Sequence, residues 1–183
     1  MAALLYSAIC SLDGYVADAN GTFDWAVPDA EVRGAVNDVQ RSVGTLLTGH
    51  RTYTVHRAWD DVAPTTAAEA DQQRLWRGAD KVVYARTQQP ELGPRARLAR
   101  VFDPEDVRRV KEWADRDLLV AGPTLATAAF AAGLVDGLHL FMVPVAVGGG
   151  LPALPPAQRL DLTLVGERRF GSGVVHLAYR VRR

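Results

Sequence analysis

Residues 117–134, DLLVAGPTLATAAFAAGL, carry an apolar run through a single glycine directly into an alanine-rich segment. The run over 117–121 suits a buried strand, and Gly122 permits the tight turn that follows it. Pro123 and Thr124 then open a helix that Gly133 closes. A joint of this kind presents unpaired N–H groups and the positive end of a helix dipole, and nucleotide phosphates bind at such places. An ordinary strand–turn–helix connection has the same signature, so this segment alone leaves both readings open.

Other chemistries find less support. The four histidines, His50, His56, His139 and His176, lack the spacing of a metal set, and the single cysteine cannot complete one. Cys10 also excludes an intrachain disulfide. Its place in a strand fits a small buried apolar residue better than a reactive thiol, because no basic neighbour in sequence would lower its pKa. Gly148–Gly150 is not followed by Lys-Ser/Thr, so it reads as a flexible connection rather than a phosphate loop.

The elements that must position these residues follow from pattern. A strand is expected over 2–11, then a long loop or hairpin over 12–27 with Asp13-Gly14 and Asn20-Gly21 turns. Val32, Val36, Val39 and Val43 recur at helical spacing over 28–43, with Asp29 and Glu31 in the first turn, where the dipole favours acids. A short strand over 45–48 ends at Gly49 and leads to a helix over 51–58. Residues 59–80 show no clear period and read as loop with some helix. A strand over 81–85, a loop over 88–97 and a brief strand over 98–102 come next. Asp103-Pro104 starts a helix whose buried face is Val107, Val110 and Ala114. Beyond the glycine joint lie a strand over 137–145 and two alternating segments, 160–170 and 174–182, which Gly171-Ser172-Gly173 turns into a hairpin.

Strands alternating with helices and ending in a hairpin predict an α/β fold: a mainly parallel central sheet flanked by helices, with an antiparallel C-terminal β-hairpin. With 183 residues, 48% of them hydrophobic, the chain is expected to form one domain over 1–183. The 21 basic and 21 acidic residues balance and are dispersed, which argues against a nucleic-acid partner. No apolar run is long enough to span a bilayer and no signal peptide is visible, so a cytoplasmic location away from membranes is expected. Ligands of such sheets bind at the carboxyl ends of the strands.

Four motifs in order, SLDGYVAD at 11–18, GHRTY at 49–53, VAGPTL at 120–125 and LVDGLHLFMVPVAVGGG at 134–150, resemble the dihydrofolate-reductase-like superfamily. The nearer likeness is to the branch holding the reductase domain of riboflavin biosynthesis. That resemblance implies an NADPH-dependent reductase of a small pyrimidine- or pterin-like heterocycle, assembled as a homodimer. It places Gly49, His50, Arg51 and Thr52 in a first cofactor turn and Gly122, Thr124 and Leu125 in a second. Arg86 and Thr87 fall where the family meets the adenosine 2′-phosphate. Two guanidinium groups suit a dianionic phosphate, although surface arginines are also ordinary. Pro123 departs from the glycine pair the family often carries and removes one backbone donor.

At the reacting end, the resemblance aligns Trp25 and Pro28 with the segment preceding the first helix. It aligns Ala30 with the carboxylate that grips a pterin, which predicts poor turnover of dihydrofolate. Asp29 and Glu31 flank that position as catalytic candidates or as helix-stabilising acids. Asp13 is a candidate for a hydrogen bond to a ribose or pyrimidine group, or a turn residue only. The histidine–glutamate pair and paired cysteines of the zinc deaminase that often accompanies the riboflavin reductase are not in this sequence. The contrasting expectation is a non-catalytic dimeric module that keeps nucleotide binding, and a deazaflavin would present similar phosphate to the same turns.

Overall fold

The structure, a computed structural model, describes residues 1–182. In chain order it contains β1 (Leu4–Ser11), β2 (Tyr15–Ala17), α1 (Ala30–Gln40), β3 (Val43–Gly49), α2 (His50–His56), α3 (Ala67–Gly78), β4 (Asp80–Tyr84) and β5 (Ala96–Ala99). There follow α4 (Pro104–Trp113), β6 (Asp117–Ala121), α5 (Pro123–Ala131), β7 (Gly137–Val143), β8 (Leu151–Pro152), β9 (Leu162–Arg169) and β10 (Val175–Val181). Eight strands form one sheet in the order β5-β4-β3-β6-β1-β7-β10-β9. From β5 to β7 every pairing is parallel, whereas β10 runs antiparallel to both β7 and β9. The α/β architecture with a terminal antiparallel hairpin is the one the alternation of elements predicts.

Helices cover both faces of the sheet. Val107 of α4 and Ala126, Ala129 and Phe130 of α5 pack with Leu4, Tyr6, Leu118, Val120 and Leu138. On the other face Tyr53 of α2 and Trp76 of α3 pack with Leu46, Val83 and Leu119. Val32 and Ala35 of α1 pack there with Phe141, Phe170 and Val174. Strands enclosed on both sides must be apolar at successive positions, which is why Leu118, Leu119 and Val120 are all buried. The same reason accounts for the apolar excess of β7, where Leu138, Leu140 and Phe141 are spent on the chain's own core.

Three sequence expectations are corrected. The valine repeat does not extend helix α1 to Val43; the helix ends at Gln40, and Val43 opens β3 opposite Asp117. The 59–80 stretch holds a 12-residue helix, α3. Two of its buried residues are glutamines, which do not read as an apolar face. Gln73 donates to the Trp59 and Val62 carbonyls at 3.1 and 2.7 Å, and Gln72 donates to Gln40 at 2.9 Å. The strand expected over 98–102 lies earlier, at Ala96–Ala99, where it pairs with β4.

Candidate functional site at the carboxyl ends of the strands

Parallel strands deliver their carboxyl ends to one edge of the sheet. Because β4, β3, β6 and β1 are neighbours, the segments after them converge there. Gly122, at φ +92°, sits where a Cβ would strike the Thr52 hydroxyl. The turn after β3 and the turn after β6 therefore pack against each other, and only glycine fits at 122. Pro123 takes the first position of α5, where its missing N–H has no intrahelical partner to lose. Thr124 and Leu125 follow, their amides left without intrahelical acceptors by helix geometry. His50 lies partly buried at the head of α2, and its Nδ1 is enclosed with no hydrogen-bond partner among the described residues.

Arg51, Arg86 and Thr87 are exposed at the rim of this surface. Neither arginine makes an ion pair or hydrogen bond among the described residues. The segment carrying Arg86 is nonetheless held in place. Arg100 donates from one Nη1 to the carbonyls of Ala85 and Gln88, at 3.1 and 2.8 Å, closing a short loop around Arg86 and Thr87. Further along, the Gly93 amide donates to the Tyr53 hydroxyl at 2.8 Å, and Arg57 pairs with Glu91 at 2.7 Å. These contacts tie the chain after β4 to α2 and its 3-10 extension, Arg57–Asp60.

At the carboxyl ends of β1 and β7 opens a cavity of about 180 Å³. Ile9 of β1 and Val143 of β7 form its floor, Trp25 through Asp29 and Val32 form one wall, and Ser172 and Val174 of the β9–β10 turn form the other. The Nε1 of Trp25 is buried without a partner among the described residues. Asp29 is the N-cap of α1 and accepts from the Val32 amide at 2.8 Å. That amide, followed by the Ser172 side chain, holds the Asp29 carboxyl below the ordinary carboxylate range. A carboxylate in this position is an ionised acceptor rather than a proton donor at neutral pH.

The remaining acids are engaged elsewhere. Glu31 does not line the cavity; it accepts from Arg168 at 2.8 Å and from the Gly171 amide at 3.2 Å. Asp13 accepts from the Ser11 hydroxyl at 2.6 Å and from the amides of Val147 and Gly148 at 3.1 and 2.7 Å. These bonds, the Ser11 hydroxyl foremost, depress its pKa. The 148–150 segment, expected to be a flexible connection, is instead pinned by Asp13 and packed so closely that a Cβ at Gly150 would meet the backbone of Ala17 and Asp18. Sequence reasoning missed Ser172 and Arg100. The Gly-Ser-Gly turn was visible in sequence, but its seat against α1 was not.

Among the described residues no group of histidines, cysteines and acids could hold a metal, and no helix is long and apolar enough to cross a membrane. Burial raises the thiol of Cys10 to about 11, consistent with a packing role.

Comparison with known proteins gives the arrangement a context. A family model described as "RibD C-terminal domain" matches residues 2–176. The protein YyaP of Bacillus subtilis (strain 168), itself described as uncharacterized, is 30% identical over 174 residues, covering 92% of this chain and 89% of that protein. A putative riboflavin biosynthesis protein from Shewanella sp. PV-4 superposes with a TM-score of 0.76 at 19% identity over 99% of both chains. A diaminohydroxyphosphoribosylaminopyrimidine deaminase/5-amino-6-(5-phosphoribosylamino)uracil reductase from Thermotoga maritima superposes at 0.68 with 15% identity, over 99% of this chain and 57% of that longer one. At such identities the two structures show a shared fold.

Proposed function

Because the chain belongs to the RibD C-terminal domain family, we propose that it is an NADPH-dependent reductase of a small pyrimidine-like heterocycle. One observation carries the reading: Thr52 packs onto Gly122, joining the turns after β3 and β6 into a single cradle at the carboxyl edge of the sheet. The residues fit a dinucleotide. The enclosed His50 Nδ1 lacks a partner among the described residues, and the Thr124 and Leu125 amides face no intrahelical acceptor.

NADPH, when bound, supplies hydride. Arg51 and Arg86 flank the cradle and hold the adenosine 2′-phosphate, the planar guanidinium matching its oxygens. Gly49, Thr52, Thr124 and Leu125 receive the pyrophosphate. Ile9, Val143 and Trp25 exclude water from the reacting rings. The ionised Asp29 accepts a hydrogen bond from an N–H edge of the substrate and so orients it. Ala30 in place of a gripping acid predicts little turnover of dihydrofolate.

A second reading, nucleotide binding without chemistry, is favoured by Glu31, whose two oxygens are both committed to the hairpin. One titration series separates the readings and tests the cofactor. Fluorescence quenching is followed with NADPH, NADH and a deazaflavin, then turnover is assayed with 5-amino-6-(5-phosphoribosylamino)uracil and dihydrofolate. The reductase reading expects tighter binding of NADPH and turnover of the aminopyrimidine. Replacing Arg51 and Arg86 together by alanine is expected to weaken NADPH about tenfold more than NADH. Equal losses for both nucleotides would show that the arginines do not read the 2′-phosphate.

A further inference from the structure

One wall of the cavity belongs to a turn rather than to a helix or a sheet interior. Ser172 and Val174 sit at the tip of the β9–β10 hairpin, and the turn that carries them is exposed at Gly171 and Ser172. Its position depends on what fastens it to α1. Glu31, in the first turn of α1, grips the β9 side of that tip: one oxygen takes the Arg168 guanidinium at 2.8 Å and the other takes the Gly171 amide at 3.2 Å. Arg168 is itself oriented by the face of Phe170, 4.6 Å from the ring centroid. Phe170 is buried against Phe141, so the outer end of the latch is anchored in the core. Asp29, two residues before Glu31, meets Ser172 on the cavity side. Two acids of one helix start thus hold the same turn, one inside the cavity and one behind it.

We infer that Glu31 and Arg168 form a latch that sets the width of the substrate cavity by fixing the β9–β10 turn against α1. Glu31 is then a positioning residue: it touches no lining surface and acts through Ser172 and Val174. The ion pair is half-exposed on both sides, and pairs of that kind add little to stability. Its alignment of the exposed end of the turn is the larger effect: Phe170 and Val174 seat the base of the turn in the core beneath α1, and Glu31 holds the Gly171 end. Screening by salt must then loosen the wall, making substrate affinity sensitive to ionic strength. The inference rests on the reading of the cavity as the substrate pocket.

The test compares the wild-type chain with Glu31→Gln and Arg168→Met. Four quantities are measured: melting temperature, the NADPH dissociation constant, KM for 5-amino-6-(5-phosphoribosylamino)uracil at low and high salt, and amide exchange over residues 171–174. Each variant is expected to raise KM about fivefold, the most that one exposed pair supplies. Exchange over 171–174 accelerates, while melting temperature and NADPH affinity stay near those of the wild type. KM of the wild type rises with salt, and KM of Glu31→Gln does not. Unchanged KM and unchanged exchange in both variants would overturn the latch. If the wild-type chain binds NADPH but turns over no aminopyrimidine, the functional reading fails instead. Exchange over 171–174 then decides alone whether Glu31 and Arg168 fix the turn.

Discussion

Asp29 carries two duties on one carboxylate. Its Oδ1 caps α1 by accepting from Val32, and the group as a whole faces the cavity as an anion. The duties separate in Asp29→Asn, because asparagine caps a helix about as well as aspartate. The expected variant melts near the wild-type temperature but loses about tenfold in kcat/KM, the charge-assisted acceptor having become a neutral one. Full activity in Asp29→Asn would remove the carboxylate from the mechanism. At this scale the sequence was legible where position follows local pattern. Trp25, Asp29, Thr52 and Gly122 all lie in motifs readable over a few residues, and the structure brings the first two to one cavity and the last two into contact. Glu31 and Asp13 were visible as acids, yet their partners were not. Arg168 stands 137 residues from Glu31, and Gly148 stands 135 residues from Asp13. No local pattern encodes a pairing at that separation.

Among elements, most strands of the central sheet were legible and helix α3 was not. β6 announces itself by apolar residues that both faces of the sheet require, whereas α3 turns two glutamines inward where apolar residues would have marked a buried face. Its start was nonetheless written in sequence: Thr66 accepts from the Glu69 amide and Glu69 reaches back to Thr65, a near relative of the capping box. The hairpin pairing also has a consequence for pH. His139 of β7 and His176 of β10 stack, with Nδ1 and Nε2 3.1 Å apart, and His176 lies flat on Phe141. Burial, then the His139 and Arg168 charges, lowers His176 from 6.5 to about 4, and burial lowers His139 as well. The unfolded chain then binds more protons than the folded one between those values, so stability falls as pH drops from about 6.5 towards 4. Thermal melts across that window are expected to show the decline, and His176→Phe is expected to flatten it. An unchanged slope in that variant would assign the acid sensitivity to other groups. The depressed carboxylates Asp13 and Asp29 act only at lower pH, as their own folded-state pKa values are passed.

For the whole molecule, the order β5-β4-β3-β6-β1-β7-β10-β9 leaves β9 as an uncovered edge. Leu164 and Val165 there are 46% and 55% exposed, unusual for a strand that must avoid unspecific pairing. We propose a homodimer that covers this edge. The apolar residues Leu138, Leu140 and Phe141 of β7 lend it no support, since they are buried within one chain. Light scattering is expected to give a dimer, and Leu164→Lys is expected to shift it to monomer; a wild-type monomer at high micromolar concentration would remove the proposal. Within one chain, the cradle divides its labour unevenly. Its shape is held by Thr52 on Gly122 and by Arg100 around the Arg86 loop, whereas Arg51 and Arg86 themselves brace nothing. On the proposed reading, nucleotide preference is therefore detachable from architecture. A lineage, or a designer, can rewrite those two exposed positions repeatedly and sample new cofactors while the scaffold beneath them stays unaltered.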